Sequence, residues 1–169
     1  MTCQLSTRLL FMNDVEWLDP IEERAWRGYA EMTARLSAHL HRSLSRQTGL
    51  SLPDYEVLVH LSESPDDRLR AFELGAALQW EKSRLSHHLT RMERRGLVER
   101  QSCESDARGL FVVLTPEGRR AIEEGAPHHV NDVRSSLIDL LSTSELETIA
   151  EISERVIAGL RDDDALCQD

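Results

Sequence analysis

Apolar residues recur at three- and four-residue steps along several stretches of the chain, the pattern of helices that bury one face. From Asp19-Pro20 onward, Trp26, Tyr29, Thr33, Leu36, Leu40 and Leu44 form one stripe, with Glu22, Glu23, Arg24, Arg35 and Arg42 on other faces. This predicts a long first helix that stops near Gly49. Ser51-Leu52-Pro53-Asp54 then reads as a fresh start, with Ser51 as cap and Asp54 at the capping-box position, followed by Tyr55, Val57, Leu58 and Leu61. The stretch Ser62 to Asp67 is a loop. A short helix over Phe72 to Leu78 and another from about Lys82 to Arg95 leave room between them only for a tight turn, which makes them a helix-turn-helix candidate. Gly96 fits the position just past a helix end.

The period then changes. Leu97 to Arg100 and Leu110 to Leu114 are short β-prone runs flanking the polar stretch Gln101 to Gly109, which predicts a hairpin with a long, exposed tip. Thr115-Pro116 opens the next helix as cap and first position, and Pro127 inside it predicts a kink or a split. Beyond it Val130, Val133, Leu137 and Leu140 or Leu141 make a stripe. Ser144 begins a last helix with Leu146, Ile149, Ile152, Val156 and Leu160 inward. Met1 to Asn13 shows no period and reads as a mobile tail, with Met12 an alternative translation start. The terminal helices carry more apolar surface than the small central unit can cover, which argues for a partner subunit.

Composition narrows the class. The 169 residues hold 20 Lys or Arg against 30 Asp or Glu, a net charge of −10, with 40% hydrophobic residues. That fits one core-forming, helix-rich domain and not a disordered tail. Leu9-Leu10-Phe11-Met12 is too short for a membrane span or a signal peptide, so a cytoplasmic protein without a membrane partner is expected. Cys3, Cys103 and Cys167 are odd in number and give neither a disulfide framework nor a zinc spacing. The basic residues are 19 Arg and one Lys, forked donors suited to phosphate and guanine. Between Glu81 and Arg100 six basic residues stand against three acidic ones, a net +3 that leaves −13 for the rest. An acidic whole does not exclude nucleic acid, because the position of the positive charge decides.

On a helical wheel Leu85, Leu89 and Met92 share the buried side of the second helix of the pair, and His88 lies on its boundary as a packing residue. Ser83, His87, Thr90, Arg91 and Arg94 lie opposite, with Arg84 beside them. Such a face fits the major groove: hydroxyls reach base edges or phosphates, and arginines fork onto guanine. A plain solvated helix face is the alternative, and the preceding turn and following hairpin weigh against it. In the hairpin tip Arg108 is placed to enter a narrow minor groove, with Asp106 as its support; a surface ion pair is the blander reading. No phosphate-binding glycine loop, nucleophile elbow or metalloprotease helix signature supports an enzyme. A protein-binding winged helix is the stronger rival, but it calls for an apolar outer face.

The order and spacing of Glu73-Leu74-Gly75-Ala76-Ala77-Leu78, Lys82-Ser83-Arg84-Leu85-Ser86, Arg94-Arg95-Gly96-Leu97-Val98-Glu99-Arg100, Asp106-Ala107-Arg108 and Leu114-Thr115-Pro116-Glu117-Gly118 resemble the winged helix-turn-helix of the MarR family of bacterial transcription regulators. The resemblance implies a mainly α fold: a winged helix-turn-helix with a small β-hairpin wing, the whole at residues 51–114, and dimerisation helices at 17–48 and 115–160. These form a single domain over 14–160, between the tail 1–13 and an acidic tail 161–169. It implies a homodimer on double-stranded DNA, a pseudo-palindromic operator and repression. Carried over by position, Ser83, Arg84, Ser86, His87, Thr90 and Arg91 are recognition-helix contacts and Arg108 the wing arginine, supported by Asp106.

Gln79 stands where the family's turn often has glycine, Glu81 where a capping hydroxyl is common, and Ala107 where a second wing arginine is frequent. Members that respond to small aromatic compounds point to Trp26, Tyr29 and Tyr55 as an effector pocket; aromatics at helical spacing on one face are more often plain core or dimer contact. Oxidant sensing lacks a cysteine in the first helix, and Glu104 and Asp106 would raise the Cys103 thiol. Zinc sensing has only His39, His41, His60, His128 and His129, whose adjacent and two-apart spacings do not share a helix face. No cofactor and no metal site is expected.

Overall fold

The computed structural model describes residues 15–103 and 106–166, the side chains of 103–109 and 162–166 excepted. The N-terminal stretch read as a tail, with Cys3, and Cys167 at the other end lie outside the described residues. The elements follow in the order α1 (Pro20–Thr48), α2 (Leu52–Ser62), β1 (Arg68–Arg70), α3 (Ala71–Leu78), α4 (Lys82–Arg94), β2 (Val98–Cys103), β3 (Asp106–Leu114), α5 (Pro116–Ser136) and α6 (Thr143–Leu166), with single 3-10 turns at Pro65–Asp67 and Ile138–Leu140. Two units divide within α1, between Ala38 and His39.

The first unit holds the N-terminal part of α1. Asp19 starts the helix: its Oδ1 accepts the amides of Ile21 (2.7 Å) and Glu22 (2.9 Å), while the Glu22 carboxylate accepts the Asp19 amide (2.8 Å). Ion pairs one turn apart, Glu23 with Arg27 and Glu31 with Arg35, line the polar faces. Trp17, Ile21, Trp26 and Tyr29 are exposed.

In the second unit α2 begins as predicted. Ser51 Oγ accepts the Asp54 amide (3.2 Å) and Asp54 Oδ2 accepts the Ser51 amide (2.9 Å). A core runs from Leu44 and Leu50 through Val57, Leu58 and Leu61 of α2, Leu74 of α3, Leu85, Leu89 and Met92 of α4, to Val98, Val112 and Leu114 of the sheet and Ile122 of α5. The sheet has the antiparallel order β1-β3-β2. β1 is an addition to the sequence reading. Arg-Leu-Arg is too short to show a period, and only β3, placing Val112 opposite Leu69, makes it a strand.

Other expectations change as well. The hairpin strands reach into the polar stretch, to Cys103 and back from Asp106, so the tip is shorter than predicted. Backbone pairing sustains a two-stranded ribbon there without an apolar face to announce it, with one register irregularity at Ser102/Cys103. Pro127 does not split α5, which runs unbroken from Pro116 to Ser136. Ile122 and Gly125 are buried before it, and His129 lies on the Tyr55 ring after it, so packing on both sides holds the helix together.

Ser142 rather than Ser144 sets the start of α6. The Ser142 amide donates to Glu145 Oε2 (2.8 Å), and α6 runs to Leu166, into the stretch read as an acidic tail. Ile149, Ile152, Val156 and Leu160 are not inward within one chain; they are exposed, as are Val130 and Leu140.

Candidate nucleic-acid interface

Gln79 makes the turn between α3 and α4. Its φ of 52° is in the left-handed region that glycine usually occupies, and its amide and that of Trp80 close onto Ala76 (3.1 Å) and Gly75 (2.9 Å). A non-glycine residue there costs about 1–2 kcal/mol, which the packing of the two helices on the core outweighs. Glu81 precedes α4 without a side-chain capping bond. α4 thus begins without a side-chain cap on its first turn, at Lys82 and Ser83.

The wheel prediction holds along α4. Leu85, Leu89, Met92 and His88 are buried, Ser83, Arg84, Ser86, His87, Arg91 and Arg94 are exposed, and Thr90 is half-buried. Arg84 lies over the Trp80 ring, 4.3 Å from its centroid, so the turn and the first helical turn hold its guanidinium in place. Thr90 is tied on both sides: its hydroxyl donates to the Ser86 carbonyl (2.9 Å) and accepts from Arg100 (2.9 Å). Arg100, from β2, also grips both oxygens of Glu93 through its backbone amide (3.2 Å) and guanidinium (2.6 Å), and this holds the Glu93 carboxyl below its usual range. The wing strand is thereby fastened to α4.

Beneath the helix lies a charged cluster that sequence reading saw only as a cap. Asp54 accepts from Arg95 at 2.7 Å and faces His88 Nε2 at 3.0 Å; Arg95 also donates to the Gly49 carbonyl (3.0 Å). Burial pushes the Asp54 carboxyl up, but His88, the Ser51 amide and hydroxyl, and Arg95 together hold it well below the usual carboxylate range. Asp54 and Arg95 are 41 residues apart, so no local spacing signals the pair. The missed support residues Trp80, Arg95 and Arg100 share this property, except that Trp80 and Arg84 are one helical turn apart.

At the base of the wing Gly96 takes a φ of 72° and Thr115 forms a clamp. The Thr115 hydroxyl donates to the Gly96 carbonyl (2.6 Å) and accepts the Gly118 amide (2.9 Å). A Cβ on Gly118 would stand 2.1 Å from the Leu97 carbonyl oxygen, so only glycine lets α5 start against the strand. The guanidinium carbons of Arg68 and Arg70 lie over the Phe111 ring, 5.1 and 5.2 Å from its centroid. Arg108 and Asp106 are in β3, where Asp106 pairs with Cys103; their side chains lie outside the described residues, as does that of Cys103.

The aromatic residues read as an effector pocket fall in two places. Trp26 and Tyr29 stand together on an exposed face of α1, their rings 6.3 Å apart. Tyr55 is buried in the second unit with its ring 4.5 Å from that of His129. Among the other histidines, His41 Nδ1 accepts the Leu52 amide (3.2 Å). No helix among the described residues is long and apolar enough to cross a membrane.

An exposed polar helix on a tight turn, packed on a three-stranded sheet with a hairpin wing, defines a winged helix-turn-helix. Comparison with known proteins places it further. A sequence model described as the MarR family matches residues 48–109. The solved structure of AbsC, a MarR family transcriptional regulator from Streptomyces coelicolor, is 43% identical, covers 88% of this chain and 99% of that one, and superposes with a TM-score of 0.84. A second MarR family transcriptional regulator from the same organism, solved in complex with DNA, is 40% identical over 86% of this chain and 92% of its own, also with a TM-score of 0.84. The transcriptional repressor MprA of Escherichia coli is 25% identical over 129 residues, 76% of this chain and 72% of the relative. The chain belongs to the MarR family of transcriptional regulators, which are not enzymes.

Proposed function

We infer that the protein is a homodimeric, sequence-specific DNA-binding repressor acting in the cytoplasm on a pseudo-palindromic operator. The observation that carries this is the outer face of α4, where Ser83, Arg84, Ser86, His87 and Arg91 are exposed on a helix whose other side is locked into the core. Donors held by a rigid scaffold lose little freedom when they meet base edges and phosphates. Thr90, already bonded to Arg100, contributes through its remaining acceptor and its methyl group. Arg108, supported by Asp106, enters the flanking minor groove. The apolar stripes of the terminal helices form the dimer contact, which sets the two recognition helices about one turn of DNA apart. The DNA complex of the 40%-identical relative and the repressor role of MprA support this reading.

Selection of fragments from sheared genomic DNA at physiological salt, followed by sequencing, tests it. A few enriched sites sharing a two-fold symmetric motif are expected; diffuse, salt-sensitive retention would instead mean backbone attraction without base reading. On a recovered site, Arg84→Ala should cost about 1–3 kcal/mol if its fork meets a base, and Arg108→Ala should soften a flanking A·T preference. Modulation by a small aromatic compound belongs to the same reading. Titrating salicylate-like phenols while following Trp fluorescence and DNA release should show saturable coupling, and its absence with every compound removes the aromatic effector.

A further inference from the structure

Asp54 of α2 and His88 on the buried side of α4 meet at 3% and 6% exposure, where a polar pair persists only if its members are partnered. Asp54 Oδ2 is taken up by the Ser51 amide (2.9 Å) and Arg95 (2.7 Å), which leaves Oδ1 to face His88 Nε2 at 3.0 Å. The Nε2 hydrogen does not point squarely at that oxygen, so the contact is electrostatic more than an aligned hydrogen bond. The opposite ring nitrogen, Nδ1, is 2.9 Å from a terminal nitrogen of Arg91. Arginine has no acceptor, so Nδ1 must supply the lone pair and the proton of the neutral ring sits on Nε2, toward Asp54. The Trp80 ring meets the imidazole edge-on at 5.1 Å and limits its rotation. A continuous chain of contacts therefore runs from a core carboxylate, through a buried imidazole, to an arginine on the exposed face.

We propose that His88, anchored by Asp54, is a positioning residue that aims Arg91 at the base it reads. The proposal rests on α4 being the DNA-reading helix. One of five guanidinium donors is held by Nδ1 and the others stay free for guanine or phosphate. A side chain held in its binding pose loses less rotamer freedom on contact. The charged groups around His88 are Asp54 from α2, Arg91 from α4, and Arg95 from the end of α4, which shares Asp54 with the ring.

The test uses the full-length protein and a duplex recovered from a randomised oligonucleotide pool, with affinity followed by fluorescence anisotropy for wild type, His88→Leu, Arg91→Ala and the double variant. Each single change should weaken binding about tenfold, and the double should bind no worse than Arg91→Ala alone. An undiminished His88→Leu effect in the Arg91→Ala background overturns the proposal and makes His88 a packing residue. Should His88→Leu fail to melt cooperatively, the same cycle with Asp54→Asn in its place decides, since that change removes the anchor of the ring. Wild-type binding by Arg91→Ala would sink the assignment of Arg91 as a DNA contact, and the inference with it.

Discussion

Leu58, Leu89, Met92 and Val112 in the core of the second unit are sealed from solvent, whereas Ile152 and Val156 of α6 stand 47% and 55% exposed in the same chain. Both sets recur at helical or strand spacing, and the pattern alone does not separate them. Periodicity says that a face is to be buried; it does not say whether the cover belongs to the same chain. The winged region covers itself because α2, α3, α4 and the sheet fold back on one another within a few tens of residues. α6 has no such local cover, and a row of apolar side chains worth about 25 cal/mol per Å² on burial is left for the partner subunit of the proposed dimer.

The largest break of this contrast comes from charging the open stripe. Ile152→Asp combined with Val156→Asp should convert the proposed dimer to monomer, or to a chain that no longer folds cooperatively, read by sedimentation velocity and thermal melting. A dimer that survives both charges would place the subunit contact elsewhere. Next comes Leu89→Ala inside the sealed region, which should cost about 2–5 kcal/mol in urea unfolding, since the emptied space lies between α4 and the rest of the core.

Asp54→Asn sits between the two kinds of region, a charge within the sealed core. It should cost about 1–3 kcal/mol by leaving His88 and Arg95 without their anion. The sign with pH follows from the lowered carboxyl. Its contribution is whole above the unfolded value of about 3.9 and is lost as pH falls through the lower folded value. Wild-type stability should therefore decline in acid below about pH 4 with a part that Asp54→Asn lacks, measured by urea midpoints at successive pH values.

The division between legible and illegible follows the range of the interactions. Helix starts at Ser51 and Thr115, the buried stripe of Leu85, Leu89 and Met92, and the outward Ser83, Arg84, His87 and Arg91 rest on neighbours within a turn or two, and the spacing showed them. β1 escaped because three residues carry no period and its partner lies more than forty positions on. Asp54 was seen as a cap, but its pairing with Arg95 and His88 is a product of the fold. The inward assignment of Ile149 to Leu160 failed within one chain for the reason that opened the comparison. The continuity of α5 past Pro127 was missed because burial around Ile122 and Gly125, and the Tyr55–His129 contact, is tertiary.

The smallest effect lies at the start of α4, where the sealed core meets the DNA-facing surface. Glu81 has the backbone conformation of a cap, with φ −58° and ψ 143°, but no side-chain bond to the first turn. Its carboxylate oxygens sit two carbons farther out than the hydroxyl with which Ser or Thr reaches those amides. Glu81→Ser should supply that bond and raise stability by about 0.5–1 kcal/mol in thermal melts. The same change removes a negative charge beside Lys82 and Ser83, where the proposed reading brings a phosphate, so affinity for a recovered operator should rise with a slightly steeper salt dependence. A gain in stability without a gain in affinity would mean that the helix start lies away from the DNA backbone. A gain in affinity alone would mean that Glu81 acts only through its charge.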